Sequence, residues 1–358
     1  MSGHHHDGHV IIAHADSWAG PGTNHVSSRR DLEDRENQFL SPHATRASGS
    51  GNRLVEEEPD PWRTCFERDR DRILHSAAFR RLAGKTQVFI FPDDHQRTRL
   101  THALEVAQVA VSIARPLGLN STLTEAIALG HDCGHGPGGH ASEDALSPYV
   151  EGGFEHSTWG SDVTLAPLNL CRETLDGIRN HSWSRPAPMT PEGEVVSWAD
   201  RIAYVCHDFE DAVDARIVAL GDLPEDVAAL AGRSRREQLS SFIVSMIRAT
   251  AATGRIGMEP DNARALALFR QFNYERVYLR QESKRQADQV IALLRALVDF
   301  YCTEPWHLPL GTRLEVGDPA TRKAAVAYVA GMTDRFACRQ AILRLGWDES
   351  RLPQGIDV

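Results

Sequence analysis

The sequence predicts an all-α protein, a helical bundle with few short strands. From about residue 60 onwards, apolar residues recur with the 3.6-residue period of amphipathic helices, and extended runs are few and short. The chain also lacks glycine-rich phosphate-binding motifs and internal repeats, which would indicate an α/β or a repeat fold. No apolar run approaches the length of a membrane span.

Length and composition indicate a globular protein with one large or two ordinary domains. We predict a single α-helical domain over residues 51–350, with the functional core at about 97–215 and a helical C-terminal part at about 216–350. The formal net charge of −10 argues against general nucleic-acid binding, which requires clustered cations, although a local basic pocket for a nucleotide is compatible with it. The six cysteines lack CxxC spacing, which favours reduced thiols and a cytoplasmic location.

Residues 1–50 differ in composition from the rest of the chain. They hold seven of the 17 histidines, together with many glycine, serine, aspartate and asparagine residues. We interpret them as a flexible tail, with adventitious metal binding as the alternative, and residues 10–13 are a candidate for one short strand. No basic segment precedes an apolar core, so this is not a secretory signal.

The first long helical pattern follows Asp60-Pro61, which predicts a helix start because proline is favoured at the first helical position. The run 66–82 carries apolar residues on one face and arginines on the other. Such a charged face is either solvated or part of an anion site, for which the candidates are Arg80, Arg81 and Lys85. A short extended segment is predicted at 87–91.

The next helices flank a glycine-rich turn. We predict helices over 101–115 and 139–146, with one between them that begins at a Thr122-x-x-Glu125 capping box and ends at Asp132. A helix over 168–181, a proline-containing loop at 184–193 and a helix that carries Asp200 to about residue 219 follow. Further amphipathic helices are predicted at 227–232, 237–253, 261–272, 283–301 and 320–345.

The most informative stretch runs from Gly130 to Glu143. His131 and Asp132 lie side by side where an apolar helix ends, and glycines and two further histidines follow. A helix end whose only role is to pack against the core does not require an adjacent histidine and aspartate. A divalent cation explains it, because imidazole nitrogen and carboxylate oxygen both suit first-row metals, and the glycines allow the backbone to turn tightly beside the ion.

Two further candidate ligands lie on separate helices. The helical period places His102 on an apolar face with Val106, and Asp200 is flanked by Trp198 and Ile202. Taken singly, the first is explained as a buried histidine bonded to a carbonyl and the second as a member of a buried ion pair. Taken together, the residues predict a metal site of two histidines and two aspartates, formed by His102, His131, Asp132 and Asp200.

The order His, His-Asp, Asp resembles the HD phosphohydrolase superfamily. Four longer strings narrow the resemblance to the bacterial deoxyguanosinetriphosphate triphosphohydrolase-like proteins, and it extends from about Phe39 to about Gly346. A lone His-Asp pair is a weak signal, whereas four matching strings in the same order are a strong one. The strings are Arg97-Thr-Arg-Leu-Thr-His102, Glu125-Ala-Ile-Ala-Leu-Gly-His-Asp132, Gly153-Phe-Glu-His156 and Ala330-Gly-Met-Thr-Asp-Arg335. The resemblance implies an HD-domain helical bundle.

The resemblance also implies roles for individual residues. The family's catalytic histidine and its acidic partner fall on His140 and Glu143, and a carboxylate near a histidine suits a general acid or base near neutral pH. A phosphate-contacting arginine of the family falls on Arg99, whose alternative is a solvent-exposed position at a helix start. We expect His135 and His156 to line the same pocket, where one of them fixes the tautomer of a ligand.

The helix that carries Asp200 supplies the remaining substrate candidates. Tyr204 and Asp208 lie one and two turns further on, and the family implies that they meet the sugar and its 3′-hydroxyl. Arg201 is positioned to reach another phosphate oxygen. For Asp208, a surface ion pair is the alternative that the sequence leaves open.

The chain departs from the family pattern at two places. Gly138 stands where the family usually has phenylalanine, which we expect to make the catalytic turn more mobile. Ser157-Thr-Trp159 stands where the family commonly has Asn-Ala-Gln, and this change affects the expected substrate contacts more than the chemistry. Neither departure touches the four predicted ligands.

The residues by themselves predict a metal-dependent phosphohydrolase. The resemblance implies hydrolysis of deoxynucleoside triphosphates, dGTP or several dNTPs, to deoxynucleoside and inorganic triphosphate. One alternative is another HD-type activity, a nucleotide monophosphatase or a phosphodiesterase, which a second metal would favour, although the sequence offers no obvious second ligand set. The other alternative is a non-catalytic nucleotide-sensing oligomer.

The expected cofactor is one divalent metal ion, and the ligand set accepts Mn, Mg, Fe, Co, Ni or Zn. The expected partner is the deoxynucleoside triphosphate substrate. By analogy with the family we also expect a homo-oligomer with a regulatory nucleotide, and we expect neither a membrane nor a nucleic acid as partner.

Overall fold

Helices account for almost all regular structure in the part of the chain that the computed structural model describes, which is residues 4–6, 10–18, 20–22, 25–89, 91, 96–309 and 314–354. The only strands among these residues are β1 (His4–His6) and β2 (Val10–Ile12), which pair antiparallel. The all-α prediction is therefore confirmed, and the short strand expected at 10–13 is present as β2.

Fifteen α-helices lie within the described residues. In chain order they are α1 (Arg29–Phe39), α2 (Cys65–His75), α3 (Ala77–Arg81), α4 (Arg99–Ala114), α5 (Ser121–Gly130), α6 (Ala141–Leu146), α7 (His156–Trp159), α8 (Arg172–Arg179), α9 (Pro191–Asp214), α10 (Glu225–Ala231), α11 (Arg235–Thr253), α12 (Pro260–Asn273), α13 (Gln281–Thr303), α14 (Pro319–Ala330) and α15 (Asp334–Leu345).

Helix α1 lies inside the segment that the sequence analysis assigned to the tail. It begins with a capping box between Ser28 and Asp31, in which each side chain accepts the other residue's backbone N–H. The following segment is tied to the core, since the Thr45 backbone N–H donates to Glu192 Oε1 at 3.0 Å and Ala44 and Ala47 are buried. Helical structure connected to the core is therefore present from about residue 28, inside the segment 1–50 that we predicted as a flexible tail.

The helical run predicted at 66–82 is two helices. Helix α2 starts at Cys65 rather than at Pro61, because the Asp60 carboxylate accepts the N–H groups of Trp62 and Arg63 at 2.8 and 2.9 Å and holds a turn there. Ser76 then adopts an extended backbone and caps α3 by accepting the Phe79 N–H, which interrupts the run.

Helices α4, α5 and α9 form the centre of the first hydrophobic core. Their buried faces include Val106, Ile127 and Ile202, which are fully inaccessible to solvent. The capping box predicted at Thr122 is wrong, because Asn120 is the N-cap of α5 and its side chain accepts the N–H groups of Thr122 and Leu123. The proline loop ends earlier than predicted, since Pro191 is the first residue of α9, which stops at Asp214 rather than near 219.

The C-terminal helices α13, α14 and α15 pack with α6 around a second hydrophobic core. Helix α6 follows the glycine turn directly, so the packing of α6 in this second core fixes the position of the end of the turn. The predicted helix 320–345 is interrupted at 331–333, where Thr333 caps α15 by accepting the Phe336 N–H. Asp334 at the start of α15 accepts from Gly138 N at 2.9 Å and from Thr86 N at 2.8 Å, and so fixes the turn to this second core.

All six cysteines are free thiols in the structure, as their spacing suggested. Within the described part of the chain, none of the helices combines the length and the apolar character that crossing a bilayer demands.

Candidate active site

The His-Asp pair lies where α5 ends. His131 is completely buried, and its Nδ1 lies 2.6 Å from the carbonyl oxygen of Ala128. Because a carbonyl only accepts, Nδ1 carries the proton and Nε2 is left as a bare acceptor. No hydrogen-bond partner reaches His131 Nε2, so this buried nitrogen is available to a cation.

The structure brings the four predicted ligands together from three helices. His102 Nε2 lies 3.1 Å from Asp200 Oδ1 and 3.9 Å from Asp132 Oδ2. His131 Nε2 lies 3.7 Å from Asp200 Oδ1 and 3.5 Å from Asp132 Oδ1. These separations are those of donor atoms that share one ion at bond lengths of about 2.0–2.2 Å.

The charge states of the two aspartates also suit a cation. Burial opposes ionisation of Asp132, but the Arg99 guanidinium and the imidazoles of His131 and His135 hold its pKa well below its usual value. Burial likewise opposes ionisation of Asp200, and its contact with His102 lowers the pKa of that carboxyl on balance. Both groups are therefore carboxylates at neutral pH. Together with the bare His131 Nε2, this donor set fits a divalent first-row ion.

Arg99 is not the solvent-exposed alternative. It is 2% exposed, and its Nη1 donates to Asp132 Oδ2 at 2.7 Å. Its Nε has no hydrogen-bond partner and the residue lines the central cavity. The guanidinium thus holds Asp132 in place while it keeps one donor free.

Three histidine rings lie at the mouth of this cluster, those of His135 and His140 from the glycine turn and that of His156 from the start of α7. His135 Nε2 lies 3.2 Å from Asp132 Oδ1, and its ring stacks on that of His156 with 3.7 Å between the ring centroids. The side chain of His140 is 75% exposed and lies at the rim of the cavity, where it can meet a ligand that enters from solvent.

Glu143 has a different principal partner from the one the sequence analysis predicted. Its Oε2 lies 3.8 Å from His140 Nδ1, which is beyond hydrogen-bond distance. Its Oε1 instead accepts from His156 Nδ1 at 2.5 Å and from the His156 backbone N–H at 2.9 Å. Burial opposes ionisation of Glu143, but these two histidines lower the pKa of its carboxyl strongly. Glu143 is thus an anion that orients His156, with His140 nearby.

The sequence analysis did not single out His181, which lies two residues after α8. Its Nδ1 lies 2.8 Å from the Ile178 carbonyl oxygen, and its Nε2 lies 3.2 Å from His156 Nε2. It is 2% exposed and lines the same cavity. In the sequence it is one histidine at the end of an unremarkable helix, and only the packing of α8 against α5 brings it to the site.

The opposite end of the cavity is built from α9, α12 and the π-helical turn Tyr274–Tyr278 that follows α12. Tyr204 Oη accepts from Arg270 Nε at 2.8 Å, and the Tyr278 hydroxyl donates to Asp208. Burial raises the pKa of the Asp208 carboxyl to about 7, and the residue is 4% exposed, which excludes the surface ion pair. The sequence analysis missed Arg270 and Tyr278, although their spacing of eight residues repeats one helical face.

Arg201 lines the cavity but does not point freely into it. Its guanidinium carbon lies 3.5 Å from the centroid of the Trp183 ring, which is a close cation–π contact. Burial lowers the pKa of Arg201, and its Nε has no hydrogen-bond partner. The guanidinium of Arg201 is therefore held against the Trp183 ring at the wall of the cavity.

One cavity of about 390 Å³ joins all of these groups. Its volume falls within the range of small-molecule sites, about 300–1,000 Å³. Ten of the predicted site residues line this cavity: Arg99, His102, Asp132, His135, His140, His156, Asp200, Arg201, Tyr204 and Asp208. The other two do not line it, since His131 is buried behind Asp200 and Glu143 lies behind His156.

The anion site proposed for Arg80, Arg81 and Lys85 is not part of this cavity. Arg80 Nη1 donates to the His75 carbonyl at the protein surface. Lys85 is 3% exposed, and its ammonium group donates to the carbonyl oxygens of His135 and Ala330, so it joins the glycine turn to α14. Burial lowers the pKa of Lys85 to about 7. Its role is structural.

The two departures from the family pattern are accommodated locally. Gly138 has φ of +72°, and a side chain there would meet the methyl groups of Val290 at 2.5 Å, so a valine of α13 occupies the space of the usual phenylalanine. The turn is anchored by the bond from Gly138 N to Asp334 rather than left without support. Residues 157–159 do not line the central cavity, so the second departure leaves its lining unchanged.

The sequence of this chain matches two protein-family models and is similar to several known proteins. The family model described as "HD domain" matches residues 99–205, and that described as "Phosphohydrolase-associated domain" matches residues 256–341. A deoxyguanosinetriphosphate triphosphohydrolase-like protein of Caldanaerobacter subterraneus subsp. tengcongensis is 40% identical over 335 residues, which cover 90% of this chain and 98% of that protein. A protein of the same name from Clostridium perfringens is 37% identical and covers 87% of this chain and 96% of its own length.

A solved structure shares the fold. The crystal structure of a hypothetical protein from Aquifex aeolicus aligns with a TM-score of 0.51 and 18% sequence identity, over 78% of this chain and 69% of that one. At this identity the likeness concerns the arrangement of helices alone.

Proposed function

Since this chain belongs to the deoxyguanosinetriphosphate triphosphohydrolase-like proteins of the HD superfamily, and is thereby an HD phosphohydrolase, we propose that it hydrolyses deoxynucleoside triphosphates. The products are a deoxynucleoside and inorganic triphosphate. The observation that carries this proposal is the single cavity whose one end holds the His/Asp cluster and whose other end holds Tyr204 and Asp208. A phosphate chain requires positive charge, which a cation in the His/Asp cluster supplies, and a sugar requires hydrogen-bonding groups, which Tyr204 and Asp208 supply.

A divalent ion is part of the proposed site. His102, His131, Asp132 and Asp200 would hold it, since their donor atoms lie 3.1–3.9 Å apart and both aspartates are ionised. When bound, such an ion lowers the pKa of a water ligand and neutralises charge on the phosphoryl group. The donor set accepts Mn, Mg, Fe, Co, Ni or Zn.

The residues beside the ion divide into positioning and proton-transfer groups. Arg99 fixes Asp132 through one guanidinium nitrogen and offers its free Nε towards a phosphate oxygen. His140 is exposed at the cavity rim, where its imidazole can protonate the leaving 5′-oxygen. Glu143, ionised and bonded to His156, lies beside the ring of His140, with its Oε2 3.8 Å from His140 Nδ1.

The opposite end suits the deoxyribose. With a pKa near 7, the buried Asp208 carboxyl can donate as well as accept a hydrogen bond, and Tyr204 and Tyr278 lie beside it. We propose that Tyr204 and Asp208 contact the sugar and its 3′-hydroxyl. Arg270 and Arg201 add positive charge between the sugar and the phosphates, which supports binding of a polyanion.

The test is a product assay on the purified protein. Each of the four dNTPs is incubated with Mn²⁺ or Mg²⁺, and the inorganic products are separated into tripolyphosphate, pyrophosphate and phosphate. We expect tripolyphosphate and deoxynucleoside in equal amounts. The ligand variant Asp200→Asn should abolish the product, while Asp226→Asn, a change at an exposed position on α10, should retain it.

Other products would contradict the proposal. Release of single phosphates from nucleoside monophosphates, or cleavage of diesters with no reaction of dNTPs, would indicate another HD activity. Absence of any product together with a dNTP-dependent rise in melting temperature would indicate a nucleotide sensor.

A further inference from the structure

One guanidinium group in the cavity has no ionic partner. Among the described residues, no hydrogen bond or ion pair reaches the guanidinium of Arg201, although its Nε is buried. Its chain neighbour Asp200 faces His102 instead, with 3.1 Å between Oδ1 and Nε2. Because an arginine keeps its charge at neutral pH, this group is a cation that is available to an anionic ligand.

The contact with Trp183 holds this guanidinium without neutralising it. A carboxylate partner would place a negative charge beside Arg201, whereas the face of an indole ring attracts a cation and carries no net charge. The positive charge thus stays in the cavity, whose lining includes both side chains. Loss of the ring would free the long arginine side chain to adopt other rotamers, and a guanidinium that is not held in place binds an anion less tightly.

Two contacts with α9 fix the Trp183 ring itself. Its Nε1 donates to the Ser197 carbonyl oxygen at 3.2 Å, and the ring packs against Trp198 in a T-shaped arrangement with 4.7 Å between centroids. The Ser197 hydroxyl also donates to the His181 carbonyl oxygen at 2.5 Å. The loop that follows α8 is therefore attached to the helix that carries Arg201, so the ring and the guanidinium share one support.

The position of this pair along α9 indicates which part of a nucleotide it meets. Ser197, Asp200 and Asp208 lie on one face of the helix and line the cavity in that order. Asp208, at the sugar end under the proposed function, is about three helical turns, or about 16 Å, from Ser197. With the α-phosphorus beside Asp200, the β- and γ-phosphates extend away from the sugar, towards Trp183.

We propose that Trp183 is a positioning residue for the proposed hydrolysis, which holds the Arg201 guanidinium where the β- and γ-phosphates bind. The inference rests on the proposed function, which places the α-phosphorus at the His/Asp cluster. It adds a means of recognising the length of the phosphate chain, because a nucleoside monophosphate has no phosphate group at this position. Trp183 and Arg201 thus select a triphosphate without being among the proposed metal ligands.

The first experiment measures the binding of the two halves of the substrate separately. Inorganic tripolyphosphate and deoxyguanosine are titrated by calorimetry into the full-length wild type and Trp183→Ala, with Mn²⁺ in excess over the ligand. The side chain of Trp183 is 46% exposed, so the fold should tolerate alanine. We expect the Kd for tripolyphosphate to rise about tenfold, the effect of losing one partly desolvated cation–π contact, and the Kd for deoxyguanosine to stay unchanged.

Kinetics with a dNTP distinguish positioning from a general structural effect. In Trp183→Ala, KM should rise about tenfold, while kcat and the bound metal stay at wild-type values. Trp183→Phe keeps an aromatic face and should recover most of the lost affinity. In an Arg201→Ala background, Trp183→Ala should cause no further loss, because the ring acts through the guanidinium. Trp62→Ala is the matched control, since this tryptophan is 56% exposed and lies outside the cavity, and it should match the wild type.

Three results would overturn the role of Trp183. Unchanged tripolyphosphate binding in Trp183→Ala would show that the ring does not position Arg201. Weaker binding of deoxyguanosine, with tripolyphosphate binding retained, would make Trp183 a contact of the base. Equal losses in the wild-type and Arg201→Ala backgrounds would show that the ring acts independently of the guanidinium. Binding requires no turnover, so a wild type that binds tripolyphosphate through Trp183 and Arg201 but releases none from dNTPs would reject the proposed function and retain the anion site.

Discussion

At one end of the cavity Asp132 lies against the guanidinium of Arg99 and three imidazoles, whereas at the other end Asp208 faces the hydroxyl of Tyr278. Both aspartates are buried to a similar degree, 3% and 4% exposed. The Arg99 guanidinium and the neighbouring imidazoles nevertheless hold the pKa of Asp132 well below its usual value, while burial raises the pKa of Asp208 to about 7. Because the two carboxyls are buried to a similar degree, their different neighbours account for the difference in charge between them.

The difference in charge between Asp132 and Asp208 indicates which chemical groups each end of the cavity can bind. Ionised carboxylates with bare imidazole nitrogens offer only electron pairs, and they suit a cation and, through it, a phosphate chain. A carboxyl with a pKa near neutrality can donate a hydrogen bond, and it suits the hydroxyl groups of a sugar. The same residue type would therefore serve both ends of the proposed substrate, and the predictions below test the two ends against each other.

The largest effect is expected at the ionised end. Asp132→Ala removes the carboxylate that faces both His102 and His131, and it leaves the Arg99 guanidinium buried without its partner. Loss of metal-assisted charge stabilisation should reduce kcat/KM by about 10³-fold or more, because several kcal/mol of transition-state stabilisation are lost. Bound metal measured by mass spectrometry should fall in parallel with activity.

The control for this variant is Asp226→Ala, at an exposed position on α10. It should keep both metal and activity. Normal metal content in Asp132→Ala, with a native circular dichroism spectrum, would show that Asp132 is not a metal ligand. The two ends of the cavity would then not differ in the way described above.

The second effect concerns His140 and Glu143, whose Nδ1 and Oε2 atoms lie 3.8 Å apart. His140→Asn should lower kcat by about 10²- to 10⁴-fold with the metal content unchanged, which is the usual effect of losing a general acid. Glu143→Gln should also lower kcat. If both act through one proton transfer, the double variant should be no slower than the slower single variant. Fully multiplicative losses would show that Glu143 acts through His156 instead.

The ionised end was the more predictable from sequence. His131 and Asp132 are adjacent in the chain, and His102 and Asp200 lie on apolar helix faces, so the local pattern indicates burial of groups that need a partner. The sequence also indicated the fold class, because a 3.6-residue apolar period sustained over most of the chain has few alternatives.

The end of the cavity at Asp208 and the residue His181 were less predictable for a physical reason. Arg270 and Tyr278 reach Tyr204 and Asp208 from more than 60 residues away, and no local pattern shows that α12 packs across α9. His181 depends in the same way on how α8 docks. The breaks at Ser76 and at 331–333 arise from side-chain caps that compete with helix continuation, which periodicity does not detect.

The third effect tests the charge of Asp208 directly. In the unfolded chain this carboxyl has its ordinary pKa of 3.8, whereas in the folded protein its pKa is about 7. Between these values the folded state holds a proton that the unfolded state has lost, so its contribution to stability is present at low pH and is lost as the pH rises towards 7. The free energy of unfolding should fall by about 2–3 kcal/mol more between pH 5 and 7 in the wild type than in Asp208→Asn.

Urea denaturation of metal-free protein at both pH values measures this difference. Asp226→Asn, which changes an exposed aspartate, should show the same pH dependence as the wild type. Parallel curves for the wild type and Asp208→Asn would mean that Asp208 is ionised in the folded protein. The two ends of the cavity would then not differ in charge.

The smallest effect concerns the turn that supports the ionised end. Gly138 and Gly152 share a left-handed backbone, with φ of +72° and +81°, but a Cβ at 138 would lie 2.5 Å from Val290 whereas a Cβ at 152 meets nothing within 4 Å. Both alanine variants carry the backbone strain, and only Gly138→Ala adds a contact with a stiff, β-branched side chain. Gly138→Ala should therefore destabilise the protein by about 1–2 kcal/mol more than Gly152→Ala in urea denaturation. Because Gly138 N also bonds to Asp334, this variant should displace His140 and lower kcat, while Gly152→Ala leaves kcat unchanged. Equal stability and equal kcat in the two variants would show that the turn does not depend on this packing, and that the ionised end is held by its ligands alone.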